Sequence, residues 1–313
     1  MADFVAEILD QPAVRAASAI ALAYLDDAVS AAARLSDRTD HEALHDFRVA
    51  LRRLRVTVRA YPGLHESVPK KQRRRLRKLV RATNAARDAE VQIAWFRDRS
   101  ARFTRAQRAA LAAMRARLRA RRRQELAHAE DGLQQQFAKI ERKLRRRLTA
   151  LQRDAGAHEG PFRAVAAATL VQHANELSAR LATASTDPAE LHATRIAAKR
   201  LRYLLEPAVP GLLDGNGMLD RLKTLQDLFG ALTDAHELEL RLLEAGAAVV
   251  PALSLLHEES AALFGTLREE GTAAGPALKR QLEAAVRRLR PAVATPPSLR
   301  QRGRRPRGAA AVS

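Results

Sequence analysis

Cysteine is absent from this 313-residue chain, aromatic side chains are few, and no long apolar run occurs. Without cysteine there are no disulfides and no thiolate metal sites. Aromatic residues make up 4% of the chain while alanine, leucine and arginine dominate, which favours helix over sheet. No stretch of about 18 apolar residues is present, and the N-terminal segment is acidic where a targeting peptide would be basic. We therefore expect a soluble, cytoplasmic protein with no membrane insertion.

Acidic side chains are also fewer than basic ones, and the formal net charge is therefore +20. Such an excess of lysine and arginine predicts an anionic partner, and the candidate classes are nucleic acid, a membrane surface and a phosphate polymer. Part of the arginine excess can reflect codon bias in a G+C-rich genome. Because 47% of the residues are apolar, the chain can bury a substantial core in one large or two medium domains.

The stretch from His45 to Tyr61, HDFRVALRRLRVTVRAY, organises the chain. At about 100° per residue its basic residues fall within one stripe of roughly 80°, beside an arc of large apolar residues. The stripe consists of His45, Arg48, Arg52, Arg55 and Arg59. This pattern predicts a helix that buries one side and presents a row of cations on the adjoining side.

A second version of the stretch, HATRIAAKRLRY, begins 147 residues later at His192. Its basic stripe consists of His192, Arg195, Lys199 and Arg202. Asp40 and Asp187 keep the same spacing, and each is a predicted N-cap. Further along, Leu76, Arg77, Leu79 and Asp88 recur at an offset of 146 as Leu222, Lys223, Leu225 and Asp234. The repeat predicts a duplicated helical unit.

Breaks in the helical periodicity divide the chain. AGAHEGP at 155–161 is the predicted boundary between a first helical bundle at about 1–154 and a second at about 161–290. The segment 104–153 is too long for one packed helix, so we expect a break near Gly132 or a projecting part. In the second half the predicted helices end with 251–270 and 276–290. Residues 291–313 are rich in proline, glycine and arginine and are predicted to form a disordered basic tail.

Four motif blocks identify a family. HDFRVALRRLR and LHATRIAAKRLRYLLE resemble the two signature helices of the CHAD family, the conserved histidine α-helical domain. LKTLQDLFGALTDAHEL resembles the family's LQxxLGxxxD segment, and NAARDAEV resembles its first-half counterpart. Asn84 stands where the family often has a small glycine, whereas Gly230 keeps it. The resemblance covers roughly residues 5–290 and implies an all-α fold of two pseudo-symmetric, duplicated four-helix bundles with long antiparallel helices.

The resemblance also implies binding of inorganic polyphosphate, often at polyphosphate granules. Such a polymer needs spaced donors on a rigid support, and a helical stripe places arginine forks and lysine charges every 5 Å or so. The predicted polyphosphate-binding residues are His45, Arg48, Arg52, Arg53, Arg55, Arg59, Arg77, His192, Arg195, Lys199, Arg200, Arg202, Tyr203 and Lys223. Predicted auxiliary cations are Lys71, Arg74, Lys78 and Arg81. No cofactor and no metal site is predicted.

Several of these residues have a second interpretation. The two histidines either gain a proton beside phosphate, so that affinity rises between about pH 8 and about pH 6, or pack in the core. Tyr203 either donates its hydroxyl to phosphate or packs at a helix end. Asp88 and Asp234 are interpreted as carboxylates that orient arginines or cap a turn, not as catalytic groups.

Two other functions compete with polyphosphate binding. A basic helical surface with an arginine-rich tail also suits nonspecific nucleic-acid binding, although aromatics for base stacking are scarce. An enzyme is the third class, but the sequence offers no metal-ligand cluster, no P-loop and no activated nucleophile. The near match ELELR at Glu237 to the ExExK motif of triphosphatases falls in a helical region, where the glutamates do not align as on a strand. We therefore expect a non-enzymatic binding protein.

Overall fold

The computed structural model describes residues 4–37, 39–40, 42–155, 160–183, 185–212, 214–244 and 249–289. Within these ranges the chain forms eleven α-helices and three short 3₁₀ helices, with no β-strand. The all-α prediction is confirmed. The predicted interdomain segment and the predicted C-terminal tail lie largely or wholly outside the described residues.

The α-helices follow one another through short connections. Those of the first half are α1 (Ala13–Arg34), α2 (Ala43–Ala60), α3 (Pro62–Ser67), α4 (Lys70–Ala82), α5 (Asn84–Asp98), α6 (Arg105–Ala110) and α7 (Ala112–Asp154). Those of the second half are α8 (Phe162–Ala182), α9 (Pro188–Leu205), α10 (Gly215–Leu243) and α11 (Val250–Leu289). The 3₁₀ helices are Ala6–Asp10, Ser100–Arg102 and Glu206–Gly211.

The second repeated helix begins where the sequence predicts, after Asp187, whereas the first begins at Ala43 with Glu42, not Asp40, at its N-cap position. The carboxylate of Asp40 accepts hydrogen bonds from the backbone N–H groups of Glu42 and Ala43, both at 3.0 Å. At the equivalent position Asp187 accepts from Ala189 N–H at 3.2 Å, and Pro188 occupies the first helical position. Each carboxylate satisfies donors that the start of the helix leaves without an intrahelical partner.

Two predicted breaks are wrong. The long helix of the first half is interrupted at Leu111, and α7 then continues through Gly132 to Asp154. It does not project, because Leu118, Leu133 and Leu144 are buried along its length. Likewise α11 is one helix that passes through Pro276. In both cases packing along the whole helix overrides the local breaker signal.

The helices fall into two sets by contact. In the first set, α1 and α4 each pack against both α2 and α7. In the second set, α8 and α10 each pack against both α9 and α11. One hydrophobic core runs through both sets, from Phe47 and Phe137 to Phe162 and Phe229. A smaller core joins α5 and α7 to α10 and α11, with Phe103 and Leu111 on either side of α6. The division into two domains and their pseudo-symmetry stay predictions.

Helix α1 is long and apolar enough to cross a membrane by length and composition alone. However, 56% of its most apolar 18-residue window is buried within the protein. It packs against α2, α7 and α8, with Ile20, Tyr24 and Leu25 at most 1% exposed. This is the position of a core helix.

Candidate functional site

A cavity of about 1210 Å³ lies between α2 and α9 on one side and α5 and α10 on the other. Residues of α8 and α11 complete its rim. The basic stripes of the two repeated helices both face into this space. The predicted site residues that line it are His45, Arg48, Arg52, Arg55, Arg59, His192, Arg195, Lys199, Arg200, Arg202, Tyr203 and Lys223.

The first arginine of each stripe is held by hydrogen bonds, but by different partners. Arg48 is 5% exposed and donates to the carbonyl oxygen of Thr83, to Thr83 Oγ1 at 3.0 Å and to Asn84 Oδ1 at 3.1 Å. Burial and the neighbouring Arg52 lower the pKa of Arg48 to about 10, so it remains protonated at neutral pH. Its guanidinium is therefore part of the cavity wall.

Arg195, the counterpart of Arg48, donates to Asp234 at 3.3 Å. Its guanidinium lies against Gly230, where a Cβ atom would stand 3.4 Å from Arg195 Nη2. Glycine thus gives the arginine room against α10, whereas Asn84 at the equivalent position supplies a hydrogen-bond acceptor. The interpretation of Asp234 as a carboxylate that orients an arginine is confirmed.

The centre of the cationic wall contains charges without carboxylate partners. Among the described residues, Arg52, Arg55 and Lys199 form no ion pair, and all three are half-buried. Burial lowers the pKa of Arg52 and of Arg55, and neighbouring arginines lower both further. The wall therefore holds unneutralised positive charge at a site of reduced hydration, which an anion would stabilise.

Lys199 is the most perturbed of these cations. Lys199 is half-buried, and desolvation lowers its pKa from 10.5 to about 7. The charged groups around it are Arg195, Arg52, Asp234 and Arg202, of which the three arginines lower the pKa and the aspartate raises it. In the repeat Lys199 takes the place of Arg52, so a titratable lysine stands where the first stripe has a permanently charged arginine.

The opposite wall carries carboxylates. Asp88 on α5 and Asp234 and Glu237 on α10 line the same cavity. Burial raises the pKa of Asp88, and Arg48 opposes this while Asp234 reinforces it. Burial also raises the pKa of Glu237, with Asp88 and Asp234 acting in the same direction. The cavity is therefore polarised, with cations on α2 and α9 and acidic groups where α5 meets α10.

Neither histidine is packed in the core. His45 is half-buried and His192 is exposed, and both border the cavity. Desolvation lowers the pKa of His45, and Arg87 adds to the effect. Desolvation and Arg195 lower the pKa of His192. Both imidazoles are therefore neutral at pH 7 in the free protein.

Arg53 does not line the cavity, although the sequence grouped it with the stripe. It forms a bidentate ion pair with Glu206, at 2.7 Å and 2.9 Å, with its side chain only 7% exposed. The guanidinium also lies against the rings of Tyr24 and Tyr203, 5.8 Å and 5.7 Å from their centroids. Arg53 therefore joins the two helix sets.

Tyr203 borders the cavity but is 3% exposed and packs between Arg53 and Arg202, as its second interpretation proposed.

The predicted cations of α4 also lie outside the cavity lining. They are Lys71, Arg74, Arg77, Lys78 and Arg81, and all are exposed on the outer surface. Arg77 and Arg81 nevertheless lower the pKa of Arg55, so they stand close to the cavity mouth. Lys223, the counterpart of Arg77, reaches the cavity from α10.

Sequence reasoning missed several residues of the site. Arg87 lines the cavity beside His45, and its place in the NAARDAEV block was the available signal. His173 and Glu176 enter from α8, where Glu176 binds Arg200 at 3.3 Å. Glu259 enters from α11 and accepts from Trp95 Nε1 at 3.1 Å. No local pattern marks the α8 and α11 residues, because they reach the site only through packing.

The fold and the site define an all-helical protein with a large cavity. Two repeated helices form the cationic wall of this cavity, and acidic residues lie on the opposite wall. Residues 19–243 match the family model described as CHAD domain, and the chain belongs to this family. A similar solved structure is the crystal structure of the CHAD domain from the plant Ricinus communis, with 22% sequence identity and a TM-score of 0.64. The alignment covers 92% of this chain and 96% of that chain, which establishes a shared fold. No curated protein matches this sequence.

Proposed function

We propose that this protein binds inorganic polyphosphate in the cavity whose cationic wall is formed by α2 and α9. The observation that carries the proposal is a cluster of half-buried cations, Arg52, Arg55 and Lys199, that form no ion pair among the described residues. A buried charge without a partner is costly, so such a cluster persists where a ligand of opposite charge stabilises it. Membership of the CHAD family, which is associated with polyphosphate, supports the choice of polyanion.

The wall suits a linear chain of phosphates. The stripe on α2 runs from Arg48 to Arg59, about 16 Å at 1.5 Å per residue. Arginine forks can each hold two phosphate oxygens, and Lys199 adds a compact charge between them. Arg195, already oriented by Asp234, would keep its remaining N–H groups for the ligand. The proposal concerns binding and assigns no catalytic residue.

The lining is less suited to nucleic acid, which stays the alternative. Single strands bind proteins largely by stacking bases on aromatic rings. Trp95 and Tyr203 are the aromatic residues of the described lining. Trp95 is packed against Phe96, Phe103 and the guanidinium of Arg99, and Tyr203 is buried. Both rings are therefore already engaged in contacts within the protein.

A competition titration tests this function. Labelled long-chain polyphosphate bound to the intact chain is displaced by unlabelled polyphosphate, duplex DNA or single-stranded RNA at about 0.15 M salt, where exposed charges are well screened. We expect polyphosphate to compete at least about tenfold better per unit charge than either nucleic acid. Equal displacement by DNA would replace the proposal with nonspecific polyanion binding.

The affinity should depend on pH through Lys199. Its pKa of about 7 in the free protein means that the ammonium is partly neutral there, and bound phosphate raises that pKa by favouring the charged form. Binding then takes up a proton, so affinity increases as pH falls from about 8 to about 6, by at most about tenfold per pH unit. The histidines, whose pKa values are lowered, add to this only at the acidic end.

The variant Lys199→Arg separates the pH dependence that comes from the lysine from the pH dependence that comes from the two histidines. The variant keeps a positive charge throughout this range, so its affinity should be nearly constant where the wild type varies. The matched control is His45→Gln with His192→Gln, which should retain the dependence. If Lys199→Arg keeps the full pH dependence of the wild type, the titrating group is another residue. If the wild-type affinity does not depend on pH, neither Lys199 nor the histidines gain a proton on binding.

We further propose that the protein acts in the cytoplasm at polyphosphate granules, since binding to a chain of many phosphates would hold it there. Fluorescent fusions of the wild type and of the cavity variant described in the Discussion test this. Only the wild type should co-localise with stained granules. Equal co-localisation of both would mean that another surface directs the protein to them.

A further inference from the structure

A second basic surface lies beside the cavity. It consists of Arg74, Arg77, Lys78 and Arg81 on the outer face of α4, which we call the α4 ridge. All four side chains are exposed. None of them forms an ion pair with another described residue, in contrast to Arg195, Arg200 and Arg202 in the cavity, which have carboxylate partners. The ridge is therefore free to contact an external anion.

The ridge continues the cationic wall of the cavity. Arg55 lines the cavity, and its pKa is lowered first by burial and then by Arg77 and Arg81. Val80 of α4 also lines the cavity, so the helix that carries the ridge forms part of the cavity wall. Arg59, one turn further along α2, also lines the cavity and is exposed at its mouth. Positive charge thus runs from the interior over the mouth to the outer surface.

The equivalent surface in the second half is not basic. At the offset of 146 residues the four positions of the ridge correspond to Asp220, Lys223, Thr224 and Asp227 on α10. These side chains are exposed as well, so the difference is one of charge and not of accessibility. The wall where α5 meets α10 is also unfavourable to an anion, because Asp88, Asp234 and Glu237 line it. Of these described surfaces, the α4 side is the one that offers a polyanion a continuous path of cations.

We propose that a long polyphosphate chain leaves the cavity over the α4 ridge, so that long chains occupy the cavity and the ridge while short chains occupy the cavity alone. This inference rests on the proposed function and specifies its substrate class as long-chain polyphosphate. From Arg74 to Arg81 the ridge extends about 10 Å along the helix, enough for several further phosphate contacts. Preference for long chains then comes from binding outside the cavity.

The test compares two ligands on two charge-matched variants of the intact chain. The ridge variant carries Arg74→Gln, Arg77→Gln, Lys78→Gln and Arg81→Gln. The control carries Arg105→Gln, Arg117→Gln, Arg119→Gln and Arg123→Gln, which are exposed positions on α6 and the first part of α7. Both variants have four positive charges fewer on exposed helix faces, where such substitutions have little effect on stability. Affinity for long-chain polyphosphate and for tripolyphosphate is measured as a function of salt.

We expect the ridge variant to bind long-chain polyphosphate about tenfold more weakly than wild type, since four exposed charge pairs of ordinary strength sum to this. Its log–log salt dependence should be shallower by about 0.7 for each phosphate that the ridge no longer neutralises. Its affinity for tripolyphosphate should stay within about twofold of wild type, because the ridge charges act on the cavity only through screened attraction. The control should bind both ligands within the same range.

Three results would overturn the inference. The first is wild-type affinity of the ridge variant for long chains, and the second is an equal loss of affinity for both ligands. The third is an equal loss of affinity in the control, which would mean that net charge alone matters. In each case wild type still binds polyphosphate and the proposed function stands. If wild type binds neither ligand, the proposed function itself fails.

Discussion

Replacing Arg52, Arg55 and Lys199 together by glutamine is expected to lower the affinity for polyphosphate by at least about a hundredfold, since hydrogen bonds to charged groups contribute about 1.5–3 kcal/mol each. These three cations are half-buried and form no ion pair with another described residue, so their charge is available to the ligand. Isothermal titration with long-chain polyphosphate at about 0.15 M salt measures the decrease.

The same variant should unfold at equal or higher urea concentration than wild type. Removing mutually repelling cations from a desolvated wall relieves a cost that the free protein carries. Loss of binding together with retained stability therefore identifies a ligand site, whereas loss of both would identify a structural role. Truncation after residue 290, which deletes the RQRGRRPR segment, is the control. If the truncation abolishes binding and the triple variant does not, the tail is the binding element.

The second large effect concerns stability. Glu206→Ala is expected to reduce the free energy of unfolding by about 3–5 kcal/mol, because it leaves Arg53 buried without its counter-charge. The side chain of Arg53 is 7% exposed, and that of Glu206 is 15% exposed. Tyr24 and Tyr203 enclose the guanidinium and cannot replace the carboxylate, since their rings offer only cation–π contacts. Urea unfolding at pH 7 provides the measurement.

The double variant Arg53→Met with Glu206→Gln is the matched control. It removes both charges while keeping similar volumes, so most of the stability should return. A pairwise coupling of at least about 2 kcal/mol in the double-mutant cycle would confirm that the two residues act as one unit. A decrease below about 1 kcal/mol in Glu206→Ala would show that solvent reaches the arginine and that the pair does not fasten the two helix sets together.

The local features of the repeated helices were predictable from sequence. The cap at Asp187, the apolar arc with Leu51 and Leu54, and the stripe headed by His45 all depend on residues a few positions apart. Periodicity and capping chemistry are short-range properties, so a single sequence carries them. The resemblance to the CHAD family added the order of the helices, and the match to the family model over residues 19–243 confirms it.

Predictions that relied on breakers alone were less reliable. Gly132 and Pro276 both lie within continuous helices. Their intrinsic cost is at most a few kcal/mol. Burial along α7, which places Phe137, Ile140 and Leu148 in the core, outweighs a cost of that size.

The stripe was predicted as one set of equivalent cations, and only the tertiary structure distinguishes its members. Arg53 and Arg52 are neighbours in sequence, yet one is neutralised by Glu206, 153 residues away, and the other has no carboxylate partner among the described residues. Arg48 and Arg195 are repeat mates, yet one donates to Asn84 and the other to Asp234. These differences depend on which helices pack against each other across the cavity.

The sequence by itself determined the two repeated helices, the cap at Asp187, the repeat and the two basic stripes, because each follows from residue types and their spacing along the chain. The tertiary structure alone decided that both stripes face one cavity, that Asp88 and Asp234 meet on its far wall, and that Lys199 is buried enough for its pKa to fall to about 7. Burial and charge pairing are properties of residues distant in sequence and adjacent in space. For this reason the sequence could predict which basic residues form the anion-binding wall. It could not predict which of them lack a carboxylate partner or where the cavity opens to the surface.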